Sequence, residues 1–414
     1  MQSPPRRLPI PALLLLAACT ASTEESHGPP PLLTALPRAL SPAESRMVNA
    51  GNQFGFDLLR EARSGTPEDN LFLSPVSVSM ALGMTLNGAA GPTFDSMRVA
   101  LRLAGAPVEE INQGYRSLID LLQHLDASSR FQIANSIWAR SGIPFLPAFL
   151  TAAQTNFDAE VRALDFHAPA TLGTINDWVS TKTNGKIPAI LDQISADEVM
   201  FLINAIYFKG SWRLGFDPKQ TQNAPFQTAD GSIQSVKTMN LRPELQRYSA
   251  TRDFEIVELL YGNGAFAMTL VLPRADRTLA DVTEGLDATR WAEWVADLHD
   301  REIGLALPRF KLEYQRLLND DLKALGMGIA FDPLRADFTG MADVAPERLF
   351  ITKVTHKTFV DVNEEGTEAA AATSVGIGIT SLPPTVQINR PFLFVIRERL
   401  TGTILFLGQI TRVP

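Results

Sequence analysis

Between Gly366 and Pro383 the chain carries a stretch suited to two different states. Thr367, Ala369, Ala371, Thr373, Val375, Ile377 and Ile379 alternate with Glu368, Ala370, Ala372, Ser374, Gly376 and Gly378. Side chains alternate across a strand, so one face is increasingly β-branched and apolar while the other is small or polar, the pattern of a half-buried strand. Alanine and glycine nevertheless give one face a weak strand preference. Pro383 and Pro384 follow closely, and no charge falls between Glu368 and Arg390. These residues fit a segment that stands as a loop but suits a sheet. A plain edge strand fits them too, as does a short helix over Ala369–Ala372, since alanine favours helix.

The rest of the chain must supply whatever sheet such a segment could join. Of 414 residues, 45% are hydrophobic and 20% charged, a composition for a globular protein rather than a disordered one. The only cysteine is Cys19, which rules out an intramolecular disulfide and leaves the fold to rest on its core. The formal charge of -8 argues against a basic stripe for nucleic acid. From Glu44 onward there is no second linker and no repeat, so residues 44–414 are predicted to form one domain. Apolar spacing predicts a helix over Val48–Arg63. A second helix opens at Ser74-Pro75, where serine caps and proline suits the first turn, and closes near Gly88. A third covers Thr174–Thr183. Strands are predicted over Phe131–Arg140, Val199–Phe208, Phe254–Leu260, Ala265–Pro273, Ile303–Pro308, Phe350–Val362 and Phe392–Ile396, with Gly262-Asn263-Gly264 as a hairpin turn. The nearly continuous apolar run over Val199–Phe208 suits a buried central strand. Helices crowd the N-terminal half and strands the C-terminal half, giving an α+β class with a large, mostly antiparallel sheet.

The first residues read as a secretion signal over 1–18. Arg6 and Arg7 precede a short apolar run that is too short to span a bilayer. Leu16-Ala17-Ala18-Cys19 resembles the lipobox of bacterial lipoproteins, which makes Cys19 the candidate lipidation site and first mature residue. An ordinary signal peptide with an incidental cysteine is the alternative, and the prolines at 9 and 11 favour it. Residues 19–43, with Pro29-Pro30-Pro31, read as a stiff tether.

Three further blocks resemble the serpin family. They are Asn70-Leu71-Phe72-Leu73-Ser74-Pro75-Val76-Ser77, Asn204-Ala205-Ile206-Tyr207-Phe208-Lys209-Gly210-Ser211-Trp212, and the stretch from His356 to Gly408. The last holds Glu364-Glu365-Gly366-Thr367-Glu368-Ala369-Ala370-Ala371-Ala372-Thr373 and Asn389-Arg390-Pro391-Phe392-Leu393-Phe394. All lie in the family's order and spacing. The resemblance implies a serpin fold and an inhibitor of serine proteases, with an exposed reactive-centre loop over 364–384 and a metastable native state. It implies a hinge beginning at Glu364, Glu365 and Gly366, a reactive bond at Thr380–Ser381, and a loop that enters the main sheet after cleavage while holding the protease as an acyl-enzyme. Small residues at Thr367 and Ala369–Ala372 suit rapid insertion, and the alternation puts Glu368 on the outward face. Ser74, Ser77, Asn204 and His356 resemble the family's polar cluster beneath the parting strands. Trp212 and Glu364 resemble the mouth of the insertion site, where Arg309 would pair with Glu364.

Thr380 preceded by Ile379 suits shallow primary pockets, as in elastase-like or subtilisin-like proteases; Ile379 also suits papain-like cysteine proteases. With no Lys or Arg nearby, a trypsin-like target is not expected, and cleavage at Ile379 or Ile377 is the alternative. No cofactor or metal is expected, and the chain is expected to act as a monomer that meets a membrane only through a lipid on Cys19. Two rivals stand beside this reading. An enzyme lacks support, since there is no Gly-x-Ser-x-Gly elbow, no His-Glu-x-x-His, no phosphate-binding glycine loop and no pair of the five histidines at ligand spacing. A non-inhibitory binding protein of the same fold would be cut without trapping its protease.

Overall fold

The computed structural model describes residues 30–195, 198–367 and 383–414. Two sheets organise them. In the larger, the strand order is β1 (Leu71–Leu73), β15 (Ile404–Ile410), β14 (Phe392–Glu398), β8 (Phe266–Pro273), β7 (Phe254–Leu260), β6 (Ile233–Ala250), β9 (His299–Pro308) and β13 (Thr385–Gln387), with β5 (Gln222–Gln227) paired on β6. Strands β8, β14 and β15 are buried at every residue, which is why they read as apolar runs without alternation. The turn at Gly262-Asn263-Gly264 joins β7 to β8; Gly262 and Gly264 hold the positive φ that it requires.

The second sheet runs β10 (Phe310–Leu317), β11 (Thr355–Asn363), β12 (Gly366–Thr367), β4 (Met200–Ser211), β2 (Arg130–Arg140) and β3 (Ala159–Leu164). All its pairs are antiparallel except β2 with β3. Six of the nine described α-helices precede β4: α1 (Pro42–Gly65), α2 (Pro75–Leu86), α3 (Gly91–Ala100), α4 (Val108–Gln123), α5 (Pro147–Phe157) and α6 (Ala170–Lys182). The α+β class, the dominance of antiparallel pairing and the early crowding of helices match the sequence reading.

Strand β4 separates two cores. Ile206 and Phe208 join the main cluster, where α1, α2 and the larger sheet pack. Phe201, Ile203 and Ala205 face the other way into a second cluster with Trp138 and with Ile175, Trp178 and Val179 of α6. The sheet is therefore roofed by α6 on one face and floored by α2 on the other. Local chemistry starts the helices below it. Ser74 accepts the Ser77 N–H to cap α2, with Pro75 in its first turn, and Ser41 forms a reciprocal capping box with Glu44 at the start of α1.

Two expectations need correction. The strand predicted over Phe350–Val362 begins only at Thr355. Before that the backbone pairs elsewhere: Ile351 N–H donates to the Ala330 carbonyl, and the Val354 carbonyl accepts from Leu318. Residues from Pro30 onward, read as tether, lie against the body, because Leu33, Leu36 and Leu40 pack on the main core.

Candidate functional site

The site is the line along which β4 and β11 face each other. Among the described residues the two strands share no direct pairing, and the two-residue strand β12 stands between their upper ends. Gly366 pairs with Asn363 on one side and Ser211 on the other, and Thr367 pairs with Val362 and Gly210. Both pairings are antiparallel, so β4 and β11 run parallel to one another with a slot between them.

The hinge turns into this slot at Gly366, whose φ is +148°. A Cβ there would sit 2.1 Å from the Gly210 carbonyl oxygen and 2.8 Å from the Ser211 Cα, so only glycine fits. Glu364 is buried. Its Oε1 accepts from the Thr221 hydroxyl at 2.6 Å, and its Oε2 lies 3.4 Å from Arg309 Nε. The backbone carbonyls of Glu364 and Glu365 accept from the N–H groups of Phe216 and Trp212 at 3.0 and 2.9 Å. Trp212 also donates its indole N–H to the Asn363 carbonyl at 2.9 Å. The predicted mouth residues Trp212, Arg309, Glu364, Glu365, Gly366 and Thr367 thus meet in one place. Residues 368–382, which include Glu368, Ala369–Ala372, Thr373 and the Thr380–Ser381 bond, lie outside the described residues, as does Cys19.

Sequence reasoning missed Tyr261. Its hydroxyl shares a 2.8 Å hydrogen bond with the Thr367 hydroxyl, and its ring stacks on Trp212 with centroids 4.5 Å apart. Burial holds the phenol well above its ordinary pKa, so it stays neutral and able to donate. Nothing local marks this tyrosine except its place just before the Gly-Asn-Gly turn; a long-range pairing brings its partner. Thr221, which holds Glu364, was missed for the same reason.

The floor of the slot divides the predicted polar cluster in two. Ser74 donates its backbone N–H to His356 Nε2 at 3.0 Å and its hydroxyl to the Leu405 carbonyl at 2.8 Å, while Ser77 N–H reaches the Ser74 hydroxyl. His356 is buried, which pushes its pKa down to about 4; accepting at Nε2 makes it the neutral Nδ1–H tautomer. Asn204 does not join this network. Its Nδ2 donates to Asn135 Oδ1 on β2 at 2.7 Å, and its own Oδ1 is buried without a hydrogen-bond partner among the described residues. A cavity of about 180 Å³ is lined by residues of both halves, Ser77 and His356 as well as Asn204. Leu82, Met200 and Ile351 are among its apolar lining residues.

Among the described residues, no group of three or more His, Cys, Asp or Glu is placed to hold a metal ion. What the geometry offers is a place for a strand.

Comparison with known proteins agrees in kind. The family description Serpin (serine protease inhibitor) matches residues 49–413. Iripin-2 of Ixodes ricinus is 34% identical over 379 residues, covering 89% of this chain and 94% of that protein. Leukocyte elastase inhibitor of Homo sapiens is 35% identical over 380 residues, covering 88% and 99%. The native-state crystal structure of tengpin, a thermophilic serpin, superposes with a TM-score of 0.81 at 29% identity, covering 94% of this chain and 98% of that one.

Proposed function

The chain belongs to the serpin family and is a protease inhibitor rather than an enzyme, and from that premise we propose that it is a suicide substrate, cut at Thr380–Ser381 and closed by insertion of its own loop between β4 and β11. One observation carries this reading: Gly366 and Thr367 already pair on both sides with strands that, among the described residues, do not pair with each other. Self-insertion is the known behaviour of the family, and a slot bordered by two strand edges suits it.

The chemistry begins as ordinary proteolysis. The protease nucleophile attacks the Thr380 carbonyl, the bond to the Ser381 nitrogen breaks, and the new amine leaves with the C-terminal fragment. An acyl-enzyme on Thr380 remains. Water would normally release it. Here the freed stretch moves into the slot first and carries the protease with it, so trapping depends on insertion outrunning deacylation.

The register of β12, continued without a slip, states what each loop residue would meet. Ala369, Ala371 and Thr373 would pair with Phe208, Ile206 and Asn204 on β4, and Thr373 would also come opposite His356. Thr373 would offer its hydroxyl to the Asn204 Oδ1, which has no partner among the described residues. On the other face Ala372, Ser374 and Gly376 would come beside Ala205, Ile203 and Phe201, the residues packed beneath α6. Large side chains there would have to displace the helix, which accounts for the small residues on that face. Insertion also places an antiparallel partner on both slot edges, whereas direct closure would join β4 to β11 in parallel, a pairing slightly weaker per residue.

The target we propose has a shallow primary pocket, elastase-like or subtilisin-like, because Thr380 is small and β-branched; the name of the 35%-identical human leukocyte elastase inhibitor supports an elastase-like choice. Ile379 extends the reading to papain-like cysteine proteases. The lipobox-like residues before Cys19 support export across a bacterial inner membrane with a lipid on Cys19, and we read the inhibitor as acting there as a monomer. The test is to mix the full-length protein with an elastase-like serine protease and resolve the products on a denaturing gel with mass spectrometry. The expected result is a covalent band near the summed mass and a released fragment beginning at Ser381. Cleaved protein without that band would support a non-inhibitory binding protein instead.

A further inference from the structure

We propose that Asn319 is a positioning residue for loop insertion: it holds residues 352–354 in line with β11, so that the incoming loop meets a finished strand edge at the lower end of the slot. The proposal rests on the insertion reading above. Strand β10 stops pairing where Leu317 stands opposite Thr355. The chain then turns at Leu318 into the short helix Asn319–Leu322, so β10 offers no further strand backbone. Its place is taken from the turn itself. Leu318 N–H donates to the Val354 carbonyl at 2.8 Å. Asn319 Oδ1 accepts the Val354 N–H at 2.9 Å, and Asn319 Nδ2 donates to the Thr352 carbonyl at 2.8 Å. These partners fix which end of the amide is which. A carbonyl and the N–H two residues further on are the pair that one residue of a parallel neighbouring strand engages. A single carboxamide thus stands in for a strand residue, and it reaches both groups only where the backbone between them is extended.

That extension shapes the opposite edge. Backbone groups alternate in direction along an extended chain. Thr352 and Val354 turn theirs toward β10, so Lys353 and Thr355 turn theirs toward β4. Residues from both borders of the slot, 199–204 and 348–357, line the cavity described above. On the register continued from β12, Lys353 and Thr355 would come opposite Gly376 and Ser374, the part of the loop that enters late. Fixing a backbone costs conformational entropy. With Asn319 in place, the ordering of residues 352–354 is complete before the loop is cut. Without it, they would have to be ordered while the acyl-enzyme already awaits water, and deacylation would gain in the race.

The test mixes the full-length Asn319→Ala variant with an elastase-like serine protease. Two quantities are measured: the rate at which the reactive loop is cut, and the ratio of cleaved, unbound inhibitor to covalent complex on a denaturing gel. The cutting rate is expected to stay within twofold of the parent. Loss of two hydrogen bonds at the slot border predicts a roughly tenfold rise in the ratio. Asp321→Asn is the control. It breaks the ion pair in which Arg316 of β10 donates to Asp321 at 2.7 and 2.8 Å, without touching residues 352–354. It is expected to lower the melting temperature and to leave the ratio within twofold of the parent. A ratio within twofold of the parent in Asn319→Ala overturns the proposal, as does an equal rise in Asp321→Asn, the mark of general loosening. Should Asn319→Ala not fold, Asn319→Asp decides. It keeps the acceptor for Val354 N–H, gives up the donor to Thr352, and predicts a rise of about threefold; an unchanged ratio there overturns the proposal too. If the parent itself forms no covalent complex, the insertion reading fails and the role of Asn319 falls with it. A parent that traps its protease beside an Asn319→Ala variant that traps equally well removes the positioning role alone.

Discussion

A single histidine on the slot floor links the fold to pH. His356 accepts the Ser74 N–H while buried, and burial holds its pKa down to about 4 from an ordinary value of about 6.5. Between those values the unfolded chain binds a proton that the folded chain refuses. Stability from this residue is therefore fully present above pH 6.5 and is lost as pH falls through 4. The difference amounts to about 3 kcal/mol. The urea midpoint of the uncut protein is expected to fall between pH 7 and pH 4 by more than that of His356→Gln; equal slopes in the two proteins would contradict this. Glu44, whose carboxylate Arg38 holds down to about 2, loses its contribution as pH falls from about 4.5 toward 2, but it does so in both proteins and cancels from the comparison. At this scale the sequence was partly legible. Ser74 announced itself as a helix cap, and the resemblance brought in Asn204 and His356, but Asn204 proved to bond Asn135 rather than the serines. Neither Asn135 nor Tyr261 carried a local sign, since each finds its partner through pairing between distant strands.

The strand is the unit on which the hinge must be judged, because its two faces meet different surroundings. Thr367 is buried against Tyr261, on the face that continues through Ala369, Ala371 and Thr373. Thr367→Arg would drive an unpaired charge into that core, a cost of several kcal/mol. We expect it to turn the inhibitor into a substrate, with covalent complex per cleavage reduced by about a hundredfold on a denaturing gel. Glu368→Arg, on the opposite face by alternation, is expected to keep most of the complex. Equal losses in both variants, or complex retained by Thr367→Arg, would refute the register. Elements were legible where period and punctuation agreed: the apolar run of β4, the Gly-Asn-Gly turn, and the Ser-Pro start of α2. They were misread where β-branched and aromatic residues run on but the backbone bonds elsewhere, as at Phe350–Val354.

At the scale of the molecule, the central feature is a sheet in which, among the described residues, β4 and β11 do not pair with each other. No periodicity in the residues of β4 or β11 states this; the sequence showed a segment fit for a sheet, and the family resemblance said which sheet. Inhibition by self-insertion requires that the uncut protein be strained and that the chain's own loop relieve the strain. Thermal melting of the protein before and after a single cut in the reactive loop tests this most directly. At roughly 1–2 °C per kcal/mol for a chain of this size, relief of even ~10 kcal/mol predicts a rise of more than about 10 °C on cleavage. A cleaved protein that melts at or below the temperature of the intact one would contradict it.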